Sequence, residues 1–270
     1  MRTVLSVLVL AALAAAQSFD EVLPDTTIAY VSIEDIARTK ERYEKSPLAA
    51  LWKDDAMKAF TEKPLAKWAE WMEEMRKEEG ITPDDVLAVL AGQFAFALVW
   101  GEGFDEPEGM VLADIGENGD KFKELVAKAE KNLVEEGGRK RDEQEFHGVK
   151  IVTYRRGEET SGASWMLDGK TVVLGQNAEL LKDLLARKER KEDTLATRDL
   201  YKRTRARAGS RGPDLVIYAD GVNLLKMLRE SGEIEDEDMK IVSALGIAAL
   251  EALELNFTIQ PNGLVMRMFL

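Results

Sequence analysis

The order of apolar and polar residues predicts helices and strands that alternate along the chain. Apolar residues recur at helical spacing in four segments, 47–60, 64–79, 83–91 and 119–136. Ser46 and Thr82, each followed by proline, are expected to cap two of these helices, and Pro64 is expected to begin a third. Strand-like runs occupy residues 26–33, 93–100 and 110–115.

Turn residues divide the second half of the chain into three predicted hairpins. They are centred on His147-Gly148, on Asp168-Gly169 and on Pro261-Asn262-Gly263, with alternating apolar residues on both sides of the last turn. Short hairpins join antiparallel neighbours. The pattern therefore predicts an α+β fold with a mostly antiparallel sheet and helices packed on one face.

Two segments repeat one order of residues. Residues 24–30 and 213–218 each read Pro-Asp followed by a strand that contains tyrosine, and a predicted helix follows at 33–40 and at 222–228. This order favours a duplicated strand-helix unit, although two short patterns also coincide by chance.

The predicted elements divide the chain into three parts. These are a signal peptide at 1–16, an α+β domain at 17–190, and a strand-helix unit at 191–270 that ends in a hairpin. The third part is expected to be a second unit, the start of a duplicated half. Because the last strand runs to Leu270 without a polar tail, we expect the chain to be the front part of a longer protein.

The first residues have the order of a secretory signal peptide. Arg2 precedes a short apolar stretch at 4–13, and Ala14 to Ala16 fit a small-residue cleavage site before Gln17. An uncleaved anchor is the alternative. The stretch is short for a membrane span, so we expect an exported protein, periplasmic, extracellular or in the cell envelope, with no transmembrane span in the mature chain.

Composition excludes several classes of chemistry. The 270 residues include no cysteine and one histidine, His147, so thiol catalysis, thiolate metal sites and sites with two imidazoles are excluded. The formal net charge is −13, so we expect no nucleic-acid partner. The tryptophans and methionines are expected in the core.

Several short motifs resemble an uncharacterised family of exported bacterial proteins, classed as a domain of unknown function. They are Leu23-Pro24-Asp25-Thr26-Thr27 after the signal peptide, Phe146-His147-Gly148-Val149, residues 164–169, and residues 195–201 before Pro213-Asp214. The resemblance covers roughly residues 23–270. It implies an exported α+β protein and supplies neither an activity nor a functional residue.

A basic segment is the most informative charge pattern. Residues 187–211 hold ten basic and four acidic residues, which is a net charge of +6 in an acidic chain. The candidate contact patch for an anionic envelope surface or polymer consists of Arg198, Lys202, Arg203, Arg205, Arg207 and Arg211. The alternative is an exposed helix whose cations offset neighbouring acidic residues.

Other polar motifs favour structural roles. His147 fits a turn residue with positive φ better than a catalytic base. Residues 114–120 begin like a calcium loop. An EF-hand needs Asp or Asn at its third position, where this chain has Gly116, and Glu at its twelfth, where it has Leu125. The acidic run 233–238 is expected to be a solvated loop. We therefore assign no catalytic, cofactor or metal-binding residue from the sequence.

Two functional hypotheses remain at this stage. The first is an exported, non-catalytic binding or structural module of the cell envelope with an unidentified partner. The alternative is a secreted hydrolase that uses Asp or Glu, with or without a metal. A deep pocket with convergent carboxylates of shifted pKa favours the hydrolase, and a shallow surface favours the module.

Overall fold

The computed structural model describes residues 18–79, 81–100, 106–157, 162–209, 212–230, 232, 240, 243–244, 246 and 249–270. The predicted signal peptide, the acidic run 233–238 and Arg211 lie outside the described residues. Among the helices in the described ranges, none combines the length and the hydrophobicity needed to cross a membrane.

The described residues form one sheet of ten strands in which every neighbouring pair is antiparallel. In chain order the strands are β1 (Thr27–Ile33), β2 (Phe94–Val99), β3 (Glu108–Asp114), β4 (Lys140–Phe146), β5 (Val149–Arg155), β6 (Ala163–Asp168), β7 (Thr171–Gly175), β8 (Leu215–Asp220), β9 (Ala252–Gln260) and β10 (Gly263–Phe269). Their order across the sheet is β10-β9-β8-β1-β2-β3-β7-β6-β5-β4. The expected α+β class is confirmed.

All three predicted hairpins are present. The registers Phe146↔Val149, Asp168↔Thr171 and Gly263↔Gln260 each close a two-residue turn. His147 has a φ of 50° and Gly148 a φ of 75°, so the first turn needs two residues that accept positive φ. The prediction of His147 as a turn residue is confirmed.

Eight α-helices lie within the described ranges. They are α1 (Ile36–Glu44), α2 (Pro47–Trp52), α3 (Lys58–Glu79), α4 (Pro83–Leu87), α5 (Gly119–Glu130), α6 (Ala178–Arg190), α7 (Asp199–Ala208) and α8 (Gly221–Glu230). A π-helical turn, Lys131–Glu136, continues α5 to the end of the segment predicted as one helix.

Capping chemistry explains where two helices begin. Thr82 and Asp85 form a capping box: Asp85 N–H donates to Thr82 Oγ1, and Thr82 N–H donates to Asp85 Oδ2. Ser46 stands at the N-cap of α2, but its hydroxyl donates to the carbonyl of Tyr43 and makes no cap hydrogen bond. The helix starts at 47 and 83 are confirmed.

The expected boundaries between α2 and α3 are wrong. Helix α2 ends at Trp52, because Asp54 accepts a hydrogen bond from the N–H of Ala56 and starts a 3₁₀ turn instead. Helix α3 begins at Lys58 and passes through Pro64, which therefore lies within the helix and not at its start. Helix α4 ends at Leu87, earlier than the predicted residue 91.

The two faces of the sheet differ in cover. The core face carries Tyr30, Met110, Met166 and Tyr218, all buried, and packs against α6 and α7. The second face carries, at alternate positions, Phe96 and Leu174, which are 43% and 46% exposed. Strand β5 is buried on both faces, and α5 packs its Phe122 against the partly buried Trp165 of β6 on the second face. Helices α6 and α7 therefore lie on the core face, as expected for helices packed on one face, and α5 packs on the other face.

The two segments with the repeated Pro-Asp order are neighbours in the sheet. Strands β1 and β8 pair antiparallel with Tyr30 opposite Tyr218. Outward from this pair, β2 and β3 follow on one side and β9 and β10 on the other, each set separated from its first strand by helices. Tyrosine comes one residue later in the first segment, and the pairing of β1 with β2 is irregular between Thr27 and Ala29. Duplication stays a hypothesis that this arrangement fits.

The expected core positions of methionine and tryptophan are partly wrong. Met110 and Met166 are fully buried, but Trp52 is 53% exposed, and Met266 and Met268 on β10 are 56% and 58% exposed. Apolar alternation in β10 therefore marks a strand whose second face lacks cover among the described residues.

Candidate functional site

The candidate contact patch lies on α7, which packs across β9 and β10. Asp199 and Arg205 with Arg207 place opposite charges in the first and last turns, as the helix dipole favours. Gly209 ends the helix in the left-handed conformation, with a φ of 59°. Buried Tyr201, Thr204 and Ala208 face the sheet, so the basic residues divide between the edge of the core and the solvent.

Arg198 is a structural cation. Its guanidinium group binds the carboxylate of Asp220, which is 1% exposed, and donates to the carbonyls of Asp25 and Thr27 at 3.3 and 3.4 Å. Asp220 also accepts the backbone and side-chain N–H groups of Asn223 at 3.0 and 2.8 Å. This network ties the start of α7 to β1 and β8, so Arg198 is not free to bind a partner.

Arg205 is also committed to the fold. Its Nη2 lies 2.7 Å from Glu34 Oε1, and its Nη1 lies 3.3 Å from Glu254 Oε1 and 3.5 Å from Asn256 Oδ1. Glu254 has no exposed surface. Burial raises the pKa of Glu254 in spite of Arg205, and Asn256 donates a further hydrogen bond at 2.8 Å. Arg198 and Arg205 thus each pair with a buried carboxylate, and their contact with an anionic partner stays a prediction.

Three members of the patch face solvent. Lys202 lies 4.0 Å from Asp199, Arg203 is 61% exposed and lies 3.4 Å from Glu251, and Arg207 is exposed. The Arg207 guanidinium carbon stands 5.3 Å from the ring centre of Phe269 on β10, in cation–π geometry. Arg211 lies outside the described residues.

Arg203 and Arg207, one helical turn apart, line a surface groove between α7 and the end of β10. The groove has a volume of about 250 Å³. Its apolar floor consists of Leu200, Leu250, Ala252, Phe269 and Leu270. Glu251 is the acidic residue of the lining, so two guanidinium groups face one carboxylate. The groove can hold an apolar group beside an anionic one.

A cluster of tyrosines and acidic groups lies beneath α7. Tyr201 packs edge-on against Tyr30 and Tyr218, with ring centres 6.5 and 4.9 Å away, and donates its hydroxyl to Asp20 at 2.9 Å. Burial raises the pKa of Tyr218 to about 12 and raises the pKa of Tyr30 and Tyr201 further. Neutral phenols are therefore expected at every physiological pH.

Some polar atoms of this cluster lack partners among the described residues. They are Tyr218 Oη, Glu254 Oε2 and Asp20 Oδ1. Buried groups of this kind usually bind ordered water. Glu254 and Tyr218 are fully buried, so Glu254 lacks the open access that a catalytic carboxylate needs. Asp20 and Tyr201, in contrast, line a surface cavity of about 340 Å³ with Lys202 and Arg205.

Carboxylates in a second groove are held by cations. Glu130 and Glu143 line a cavity of about 340 Å³ next to Phe122, Val126 and Trp165. Both bind Arg141, and Glu143 also lies 3.0 Å from Lys150. Hydrogen bonds from Lys150 and Arg141 lower the pKa of Glu143, which is opposite to the raised pKa of a general acid.

The remaining motifs have structural contacts. His147 Nδ1 lies 2.7 Å from Glu189 Oε1 on α6, at the surface. Asp114 Oδ1 accepts the N–H of Gly116 at 2.8 Å, which closes the turn before α5. Within the described ranges, no three potential metal-ligating side chains come together.

Comparisons with known proteins give one distant structural neighbour. No protein-family model and no curated protein matches the chain. The structure described as crystal form I of TP0453 superposes with a TM-score of 0.39 at 10% sequence identity, over 94% of this chain and 77% of that one. A likeness at this level carries no argument about the fold or the function.

Proposed function

We propose that the protein is an exported, non-catalytic binding or structural module of the cell envelope that recognises an anionic partner through α7. The observation that carries this proposal is that the arginines of α7 and its N-cap fall into two groups. Arg198 and Arg205 are bound to buried carboxylates, whereas Arg203 and Arg207 remain exposed over an apolar groove. Charge at a shallow groove suits recognition of a surface or polymer.

The geometry of Glu254 and Glu143 supports a binding role over hydrolysis. Glu254, whose pKa is raised, is enclosed and ion-paired, and Glu143, which is accessible, has a lowered pKa. Neither therefore combines access with the protonation state of a general acid at neutral pH. The signal-peptide pattern of residues 1–16 supports export.

Co-sedimentation with anionic vesicles and with polyglutamate immobilised on beads tests this function. We expect binding at low salt that weakens at physiological ionic strength, where charges are screened over about 8 Å. The double variant Arg203→Gln and Arg207→Gln is expected to bind about tenfold more weakly. Both side chains are exposed, so each change should alter stability by no more than about 1 kcal/mol.

The matched control is Lys123→Gln with Lys170→Gln. These lysines are 72% and 61% exposed and lie beside α5 and β7, away from α7, while the change in net charge is the same. Equal loss of binding in both double variants would attribute the effect to net charge alone. Absence of binding by the unmodified protein at low salt, or hydrolysis of an envelope polymer that depends on Glu130 or Glu143, would contradict the proposal.

A further inference from the structure

The two edges of the sheet differ in how they are protected. Strand β4, at one edge, carries five charged residues in its seven positions: Lys140, Arg141, Asp142, Glu143 and Glu145. Charged side chains of this kind discourage pairing with another strand. Strand β10, at the other edge, carries one charged residue, Arg267, among seven. Its outer backbone groups have no partner strand among the described residues.

The side chains of β10 separate by chemistry on the two faces. Leu264, Met266 and Met268 point to the second face and are 47%, 56% and 58% exposed. Arg267 alternates with them and shares the core face with Phe269, over which Arg207 stands. A strand added beside β10 would thus meet an apolar row on one face and guanidinium groups on the other.

Strand β3 holds the same place in the first set of strands as β10 holds in the second, and its outer edge is occupied by another strand. Strand β3 follows β1 and β2 as β10 follows β8 and β9, and its outer edge pairs antiparallel with β7. On the second face this pairing places Leu174 opposite Val111. By analogy with β3, the outer edge of β10 can accept one more antiparallel strand, with an apolar side chain on the second face.

We propose that β10 is a docking edge for an extended segment of a partner protein in which apolar and acidic residues alternate. The inference rests on the proposed function and specifies its anionic partner. Apolar side chains of the segment lie along Leu264, Met266 and Met268, and its carboxylates lie near Arg267, Arg207 and Arg203. Main-chain hydrogen bonds to the outer side of β10 provide affinity, and the alternation provides specificity.

Fluorescence anisotropy with labelled synthetic peptides tests this edge. The probe is a peptide of about eight alternating Val and Glu residues, within the usual length of a strand. The control peptide has the same composition with the valines and glutamates in separate blocks. We expect the alternating peptide to bind at least about tenfold more tightly. It should also protect from exchange those amide hydrogens of residues 263–269 that point away from β9, because only these gain a hydrogen bond.

Two double variants separate the effect of the apolar row of β10 from the effect of added negative charge. Met266→Glu with Met268→Glu should weaken binding of the alternating peptide about tenfold, since it places carboxylates in the row that the valines of the peptide contact. The matched control is Leu87→Glu with Val222→Glu, two apolar residues that are 58% and 57% exposed on α4 and α8. This control should leave the affinity unchanged. All four positions are exposed, so the native fold is expected to persist, and circular dichroism checks it.

The outcomes distinguish failure of this inference from failure of the proposed function. If both peptides bind equally, and binding depends on Arg203 and Arg207 but not on Met266 and Met268, the edge assignment is overturned and the anionic contact stands. If neither peptide, polyglutamate nor anionic vesicles bind, both proposals fail. A dimer that dissociates in the Met266→Glu, Met268→Glu variant would assign the edge to a second copy and overturn the partner segment.

Discussion

Replacement of Arg205 by methionine removes one partner of a buried ion pair and keeps most of the side-chain length. Glu254, with no exposed surface, would retain only the Asn256 hydrogen bond at 2.8 Å. Removing one member of a buried pair typically costs about 3–5 kcal/mol, because the remaining charge is desolvated and unpaired. Glu34 is 28% exposed and stays hydrated. We therefore expect the free energy of unfolding to fall by about 3 kcal/mol, near the lower end of that range.

The loss should depend on pH in a defined direction. Burial raises the pKa of Glu254, and removal of Arg205 raises it further, because a nearby cation favours the ionised form. A carboxyl whose folded pKa exceeds its unfolded value destabilises the fold as pH rises through the folded pKa. The deficit of Arg205→Met should therefore be small below about pH 4, where Glu254 is protonated in both states, and larger at neutral pH.

Urea unfolding measured between acidic and neutral pH checks this prediction through the midpoint and the slope. The control is Arg203→Met, on the same helix, whose ion pair with Glu251 is 61% and 68% exposed and is worth at most about 1 kcal/mol. Adding Glu254→Gln to Arg205→Met should recover part of the stability at neutral pH. Equal losses in the two single variants, or a pH-independent deficit, would refute the assignment of Arg205 as the counter-ion of Glu254.

Three further changes test local contacts. Tyr218→Phe removes a buried hydroxyl without a described partner, so the thermal midpoint should stay or rise, and a clear fall would show a hydrogen bond at that oxygen. Hydrogen bonds from Thr82 lower the pKa of Asp85 to about 2, so the stability that Asp85→Asn removes should be present above the ordinary carboxyl pKa and vanish as pH falls through about 2. His147→Val should lower the thermal midpoint more than His147→Gly, because φ is 50° there.

Local chemistry made much of the fold predictable from the sequence. The hairpins at His147-Gly148 and Asp168-Gly169 follow from residues that accept positive φ, and the start of α4 follows from Thr82 and Asp85. Strand neighbours that are distant in the chain could not be read in this way. The pairing of β1 with β8 depends on packing across the core, and the repeated Pro-Asp-strand order was its only trace in the sequence.

The candidate site was predictable in place but not in detail. A count of basic residues located α7, yet it could not separate Arg205 from Arg203, since their partners Glu254 and Glu251 are brought close by the sheet. Helical spacing could have shown part of this difference. Tyr201, Thr204 and Ala208 mark the buried side of α7, and Arg205, four residues after Tyr201, lies on the same side. The buried carboxylates themselves had no signature in the sequence beyond alternation within a strand.

The positive charge available to a partner is smaller than the net +6 of residues 187–211 suggests. Arg187, Arg198 and Arg205 bind Asp183, Asp220 and Glu254 within the fold, which leaves Arg203 and Arg207 as the main exposed guanidinium groups on α7. An acidic partner is repelled at a distance by a chain of net charge −13, and it is attracted to these groups only within about 8 Å at physiological salt. Charge therefore orients a partner after contact, and under the proposal made above the main-chain hydrogen bonds and the apolar row of β10, which salt does not screen, add to the affinity.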